Sequence, residues 1–179
     1  MKIDSWPLAL KKQHFSRLYL FVLFFVLRRG LQGAYAHDDF SKTELESLGK
    51  HFSLGITVAD AGPSFILQLT NRKKKPCFDY IGTFKKNPDF KPDLKIQLKS
   101  IGSAMQIFCF KESISEAEAN SRFIADGSLE AACTFIRVLE RTEMILLPRF
   151  IAKHAVKRYQ SFKKLNSLRV KLYGKVLFG

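Results

Sequence analysis

The stretch from Arg122 to Pro148, RFIADGSLEAACTFIRVLERTEMILLP, leaves the chain little freedom of local structure. An apolar piece, Phe123-Ile124-Ala125, runs into Asp126-Gly127, a pair that favours positive φ and hence a tight turn. Ser128 follows where a helix N-cap belongs, its hydroxyl placed to accept from an otherwise orphaned backbone N–H. Leu129, Ala132, Cys133, Ile136 and Leu139 then recur at spacings of three and four, the period of a helix with one buried face. Arg137, Glu140 and Arg141 fall mostly off that stripe, and with Glu143 they read as a surface ion-pair lattice. Pro148 ends the pattern, because it lacks a donor and disfavours helix in the residue before it. The unit is strand, turn, capped amphipathic helix.

Upstream, Phe52, Leu54, Ile56 and Val58 alternate with Ser53, Gly55 and Thr57, the period of a half-buried strand. After turn formers at Asp60-Ala61-Gly62-Pro63, Phe65, Leu67 and Leu69 alternate with Ile66, Gln68 and Thr70 as the second arm of a hairpin. The basic run Asn71 to Pro76 reads as a solvated loop, and Cys77 to Phe84 as a third strand. Leu94, Ile96 and Leu98 alternate with Lys95, Gln97 and Lys99, predicting a strand of a mixed or antiparallel sheet with one solvated face. Gly102 to Lys111 and Ser113 to Ser121 read as helices. The order predicts an α+β fold of about five strands, covered by helices on one face.

Together with PDLKIQLKSIGSAMQIF at Pro92 to Phe108, the Arg122–Pro148 unit resembles the sterol-carrier-protein-like lipid-binding family, over roughly His51 to Pro148. The resemblance lies in an Asp-led strand, a helix, a second strand ending in a Gly/Asp pair and a closing helix. Here that pair runs Asp126-Gly127, the reverse of the family's order. What the resemblance implies is a sterol-carrier-like fold and a non-catalytic container for a sterol, fatty acyl, isoprenoid or quinone-like lipid, with no cofactor. It would set Phe65, Leu67 and Leu69 along an apolar tunnel, with Ile96 and Leu98 beside them. Met105, Phe108, Phe123, Leu129, Cys133 and Ile136 would come from the covering elements. For each of these, ordinary core is the alternative. Seventeen Phe against one Trp suits either, since Phe fills volume without a polar group to satisfy.

The formal net charge of +14 is divided unevenly. Residues 1–36 hold six Lys or Arg against Asp4, residues 37–148 hold fifteen of each sign, and residues 149–179 hold nine basic residues and no acid. A neutral lipid-binding domain, 37–148, thus stands between a basic, apolar N-terminal segment, 1–36, and a basic C-terminal one, 149–179. This layout favours an anionic membrane surface as partner, since a nucleic-acid binder would more often carry its charge on the folded domain itself.

Leu18 to Leu27 is an unbroken apolar run of ten, about half of what spans a bilayer as helix. It matches a signal-peptide core, and Ala34-Tyr35-Ala36 would serve as the cleavage site; Arg28 and Arg29 lie where such segments are usually neutral. The favoured reading is a helix docked on the domain or laid in a membrane interface, with Phe21, Phe24 and Phe25 in the acyl boundary. His37-Asp38-Asp39 begins a short acidic helix through Leu48, capped by Ser41 or Thr43, read as a solvated linker. Three adjacent residues rarely converge on one metal ion.

At the other end, Ile151, Ala155, Tyr159, Phe162 and Leu165 form an apolar stripe. Lys153, Lys157, Arg158, Lys163 and Lys164 occupy the remainder, so a basic amphipathic helix is expected on a membrane surface, or packed on the domain. Covalent chemistry finds no support in the motifs. The His residues at 14, 37, 51 and 154 form no H-E-x-x-H, there is no nucleophile elbow or phosphate loop, and the three Cys have no C-x-x-C spacing. Cys77, Cys109 and Cys133 read as reduced thiols, two of them in buried apolar runs. The expectation is a cytoplasmic, peripherally membrane-associated lipid carrier. The alternative is a basic adaptor that binds nucleic acid or a protein complex around a purely structural core.

Overall fold

The computed structural model describes residues 6–59, 62–72, 75–109, 111–112, 114–147 and 165–178. Five strands form one mixed sheet: β1 Ser53–Val58, β2 Ser64–Arg72, β3 Lys75–Gly82, β4 Leu94–Leu98 and β5 Phe123–Gly127. Their order is β3-β2-β1-β4-β5. Hairpins make β1–β2 and β2–β3 antiparallel, and β4–β5 is antiparallel as well. β1 and β4 run parallel, with Gly55 opposite Lys95. The expected α+β architecture, a five-stranded mixed sheet with helices, is what forms.

Asp93 pins the parallel pair. Its carboxylate accepts from the Ser53 N–H at 2.8 Å and the Ser53 hydroxyl at 2.6 Å, while its own N–H donates to that hydroxyl oxygen at 3.0 Å. The Asp that leads β4 is therefore a register clamp onto the start of β1.

One face of the sheet carries the core. Leu54, Ile56 and Val58 of β1, Phe65, Leu67 and Leu69 of β2, and Leu94 and Leu98 of β4 are buried there. The main cover is α1, Trp6–His37, a helix of 32 residues. Its inner stripe, Leu20, Phe24, Leu27, Leu31, Ala34 and Tyr35, recurs at helical spacing and is buried throughout. Gln32 adds a polar tie, donating to the Phe78 carbonyl of β3 at 3.0 Å. The N-terminal helix is thus docked on the domain, and Phe24 belongs to the core rather than to an outer face with Phe21 and Phe25. Phe15–His37 has the length and mean hydropathy (1.2) of a membrane span, but one side of it is occupied by this packing.

The back of the sheet is also covered at its centre, against the expectation of a solvated face. Gly55 lies under Phe84 and Pro92 from the β3–β4 connection; a Cβ there would come 2.4 Å from the Phe84 ring. Ile66 on that face is fully buried, and the Lys95 ammonium rests 5.3 Å from the Phe84 ring centroid. Apolar alternation alone hid this, because the covering residues come from a loop.

After α1 the chain does not form a solvated linker. Helix α2, Asp39–Ser47, begins at Asp38, which rather than Ser41 or Thr43 is the N-cap, accepting from the Ser41 N–H at 3.2 Å and its hydroxyl at 2.8 Å. Asp38 is buried while His37 and Asp39 are exposed, so the three adjacent residues diverge. Helices α3, Ile101–Phe108, and α4, Ile114–Ala119, follow β4; α3 is capped by Ser100, whose hydroxyl accepts from the Ser103 N–H at 3.0 Å.

The Asp126-Gly127 pair ends β5 instead of turning away from it. Gly127 pairs with Leu94 at φ +149°, and a Cβ there would meet the Asp93 carbonyl oxygen at 2.5 Å. Ser128 then caps α5, Leu129–Leu146, accepting from the Ala131 N–H at 3.1 Å. The buried face of α5 is not the expected stripe. Ala131, Thr134, Phe135, Val138, Thr142 and Ile145 are buried, whereas Leu129 is 81% exposed and Cys133 is exposed. Two threonines hold core positions because their hydroxyls are satisfied: Thr142 donates to the Val138 carbonyl at 2.8 Å, and Thr134 accepts from Arg137 at 3.0 Å.

The final helix, α6 Leu165–Phe178, closes the far end of α5. Leu165, Leu168 and Leu172 pack with Ile145 and Leu146. Arg169 donates to the carbonyls of Ile145, Met144 and Leu147 at 3.1, 3.2 and 2.9 Å, and Tyr173 to that of Leu146 at 2.7 Å. These are the carbonyls a helix end leaves orphaned, met here by a cation that also suits the dipole. Of the expected C-terminal stripe only Leu165 falls within the described residues, and it packs on the domain. Lys153, Lys157, Arg158, Lys163 and Lys164 lie outside them.

Candidate ligand-binding cleft

Helix α5 leans on α1, α2 and α6 more than on the strands. It stands away from the β4–β5 end of the sheet and leaves an apolar cleft of about 140 Å³. The floor is Ile56 of β1, Ile96 and Leu98 of β4, and Phe123 and Ala125 of β5. Leu27 of α1 and Ile107 and Phe108 of α3 form the inner wall. The roof is the expected α5 stripe, Leu129, Ala132, Cys133, Ile136 and Leu139, joined by Phe135. Leu129 and Cys133 are exposed there, and Ala132, Ile136 and Leu139 half-buried, because the stripe faces a cleft. Among the described residues, the only charged side chain lining it is Glu118, exposed on α4.

Seven sequence-predicted residues meet here: Ile96, Leu98, Phe108, Phe123, Leu129, Cys133 and Ile136. Leu67 and Leu69 do not line it; they are sealed in the core with α1, because β2 lies two strands from β4. Met105 packs against the same core, and Phe65 lines a groove elsewhere. Leu27, Ile56, Ile107 and Phe135 were not anticipated. Leu27 was hidden in a run read as a helix docked on the domain or laid in a membrane interface, and Ile56 looked like any strand residue.

A second apolar space of about 210 Å³ adjoins the first, sharing Leu27 and Phe108 as a partition. Tyr19, Leu23 and Val26 of α1, Leu146 and Leu147, and Tyr173 and Val176 of α6 line it. Among the described residues its one carboxyl is Glu143, for which no hydrogen bond or ion pair is found there. Burial, and secondarily the nearby Glu140, push its pKa up to about 7. The expected ion-pair lattice along α5 is replaced by pairs to other helices: Arg137 to Glu44 at 2.6 Å and Arg141 to Asp38 at 3.1 Å.

The thiols differ from expectation too. Cys77 and Cys109 are half-buried and Cys133 is exposed at the cleft, all of them free. Among the described residues no three His, Cys, Asp or Glu side chains converge as a metal site.

No family model matches the chain, and no curated protein matches it. Among solved structures it is similar in fold to the sterol carrier protein domain 2 of Helicoverpa armigera, with 16% identity over 80% of this chain and 94% of that one, at a TM-score of 0.45. It is similar also to sterol carrier protein 2 from Yarrowia lipolytica in its apo form, with 14% identity over 66% and 88% of the two chains, at 0.42.

Proposed function

We propose that this chain is a non-catalytic carrier, binding a long apolar molecule in the cleft between α5 and the sheet and exchanging it at a membrane surface. The observation that carries the reading is the cleft itself: a wall of aliphatic and aromatic groups from six elements, joined among the described residues by only the Glu118 carboxylate and the Cys133 thiol. Each CH₂ moved from water into such a space gains ~0.8 kcal/mol, so a chain of about fifteen carbons has a gross driving force near ~12 kcal/mol. That suffices without polar machinery.

At about 140 Å³ the cleft is smaller than the ~300–1,000 Å³ that encloses a drug-sized ligand. A long chain fits by passing Leu27 and Phe108 into the neighbouring space, which needs two side chains to change rotamer rather than a domain to open. The bound class is a sterol, acyl, isoprenoid or quinone-like lipid.

Membrane delivery rests on α1. Its outer side exposes Phe15, Leu18, Phe21, Val22 and Phe25, with Arg17 and Arg28-Arg29 flanking them. Such a face enters the acyl boundary while the cations stay at headgroups, each worth ~1 kcal/mol near an anionic leaflet. The basic residues of 149–164 add charge of the same sign. Anionic lipid is a feature of the cytoplasmic leaflet, which favours a peripheral, cytoplasmic location for such a carrier.

Native mass spectrometry of freshly purified protein is expected to show a co-purified lipid, and a fluorescent fatty acid or sterol to bind with one-to-one stoichiometry. A bare chain mass together with no uptake of either probe would end the reading. Binding of duplex or single-stranded nucleic acid with a steep salt dependence, and no flotation with anionic liposomes, would favour the adaptor instead.

A further inference from the structure

On the other side of α1 from the cleft lies an open groove of about 820 Å³, between that helix and the β2–β3 half of the sheet. Its chemistry differs from that of the cleft. Among the described residues, Arg28 and Lys85 are the charged side chains lining it and no acid does, while Thr57, Ser64 and Thr83 add hydroxyls. The guanidinium of Arg28 sits 4.2 Å from the Tyr80 ring centroid and 5.3 Å from that of Phe25. Two rings hold the cation in place, and no hydrogen bond or ion pair to it is found among the described residues, so its planar fork of donors is uncommitted. Burial, then neighbouring Arg29, lower the Arg28 pKa, as expected of a partly desolvated cation beside a like charge.

We propose that this groove is a separate site for one anionic phospholipid, its phosphate on Arg28 and Lys85 and its first acyl carbons on Phe21, Phe25 and Phe84. Charge complementarity argues for the phosphate. The choice of a lipid over a soluble anion comes from continuity, since Phe21 and Phe25 line the groove and also belong to the exposed face of α1, at 53% and 46% exposure. A molecule entering from a bilayer would reach the cations along those rings. The groove and the cleft are divided by Phe24, whose ring stands edge-on to Phe65 on the groove side at 5.6 Å and to Phe108 on the cleft side at 5.7 Å. One face thus recognises a headgroup while the other stores the cargo. The proposal rests on the membrane-surface reading but not on the identity of the cargo.

Titration calorimetry of the full chain with dihexanoyl phosphatidylglycerol, dihexanoyl phosphatidylcholine and inorganic phosphate, the lipids kept below micelle formation, separates the outcomes. The phosphatidylglycerol is expected to bind at least tenfold tighter than either other probe. Arg28→Gln and Lys85→Gln should each weaken it about five- to tenfold; Lys85 is exposed, so its variant keeps the test open if Arg28→Gln folds poorly. Ile136→Trp, which fills the cleft, should leave this binding unchanged while abolishing uptake of a fluorescent fatty acid. Equal affinity for both lipids, equal affinity for inorganic phosphate, or indifference to both substitutions overturns the groove proposal. Loss of fatty-acid uptake by the unaltered chain overturns only the carrier.

Discussion

The guanidinium of Arg141 reaches a carboxylate 103 residues earlier, donating from Nε to Oδ2 of Asp38 at 3.2 Å and from Nη2 to Oδ1 at 3.1 Å. That carboxylate is also the N-cap of α2 and is 4% exposed. One buried group therefore joins the end of α1, the start of α2 and the middle of α5, which places α5 where it roofs the cleft. Removing one partner of such a pair leaves the other buried without compensation, which costs more than the pair itself contributes.

Asp38→Ala deletes the cap and strands Arg141. A loss of about 3 kcal/mol is expected, with a melting temperature lower by roughly 6–12 °C for a chain of this size. Asp38→Asn keeps an acceptor for the Ser41 N–H but gives up the charge pair, so it should fall between. Chemical denaturation of both variants checks the order; equal stability of all three proteins would mean that the pair does not position α5.

Glu143 gives the fold a pH dependence of definite sign. Its pKa lies near 4.5 when unfolded and rises to about 7 in the fold. Between those values the folded chain holds a proton that the unfolded chain has lost, so stability falls as pH rises from 4.5 to 7 and is level outside that window. The penalty above pH 7 is on the order of 3 kcal/mol. Among the described residues, Tyr19 and Tyr173 are the other titratable groups lining that space, and Glu140 supplies the like charge. Glu143→Gln should be more stable than the parent at pH 8, nearly equal at pH 4, and should remove most of the slope between. A parallel pair of stability–pH curves would show that the carboxyl is already solvated.

Much of this fold was legible because it is locally encoded. Strands β1, β2 and β4 announce themselves by alternation, and Ser128 caps α5 where its position predicts. What was hidden depends on partners distant in sequence. Arg28 and Arg29 follow directly on the apolar run Leu18 to Leu27, yet α1 continues through them and through Gln32, which ties the helix to β3. Asp38 looked like a solvated acid until Arg141 met it. The cleft was half legible for a specific reason. Leu129, Cys133 and Ile136 of the apolar stripe of α5 were set along a tunnel with ordinary core as the alternative, while the core face went unseen because Thr134 and Thr142 count as polar until their hydroxyls find partners.

Gly55→Ala tests the coupling between the back of the sheet and the groove. A Cβ there would lie 2.4 and 2.9 Å from Phe84 and 2.9 Å from Pro92, so the ring must leave its seat above the strand. Overpacking of this kind costs about 1–3 kcal/mol. Because Phe84 lines the groove, binding of short-chain phosphatidylglycerol should weaken several-fold, whereas fatty-acid uptake by the cleft should not change. Loss of both together would indicate general unfolding rather than a displaced ring.

The outer face of α1 is the last element to be tested, and it can be altered without touching the interior. Leu18 and Val22 are 64% and 57% exposed and line neither the cleft nor the groove. One turn apart, they point the same way from the helix. Fully burying each in the acyl boundary would contribute about 1.5–3 kcal/mol, so Leu18→Ser with Val22→Ser should lower the partition onto anionic liposomes by a factor of ten or more. The melting temperature should move by no more than about 2 °C, since little packing is lost. Flotation of parent and variant at low and high salt then separates the contributions: salt should weaken both through the flanking cations, and the substitutions only the apolar component. Undiminished flotation of the double variant would move membrane contact away from α1 and onto the basic residues of the C-terminal segment.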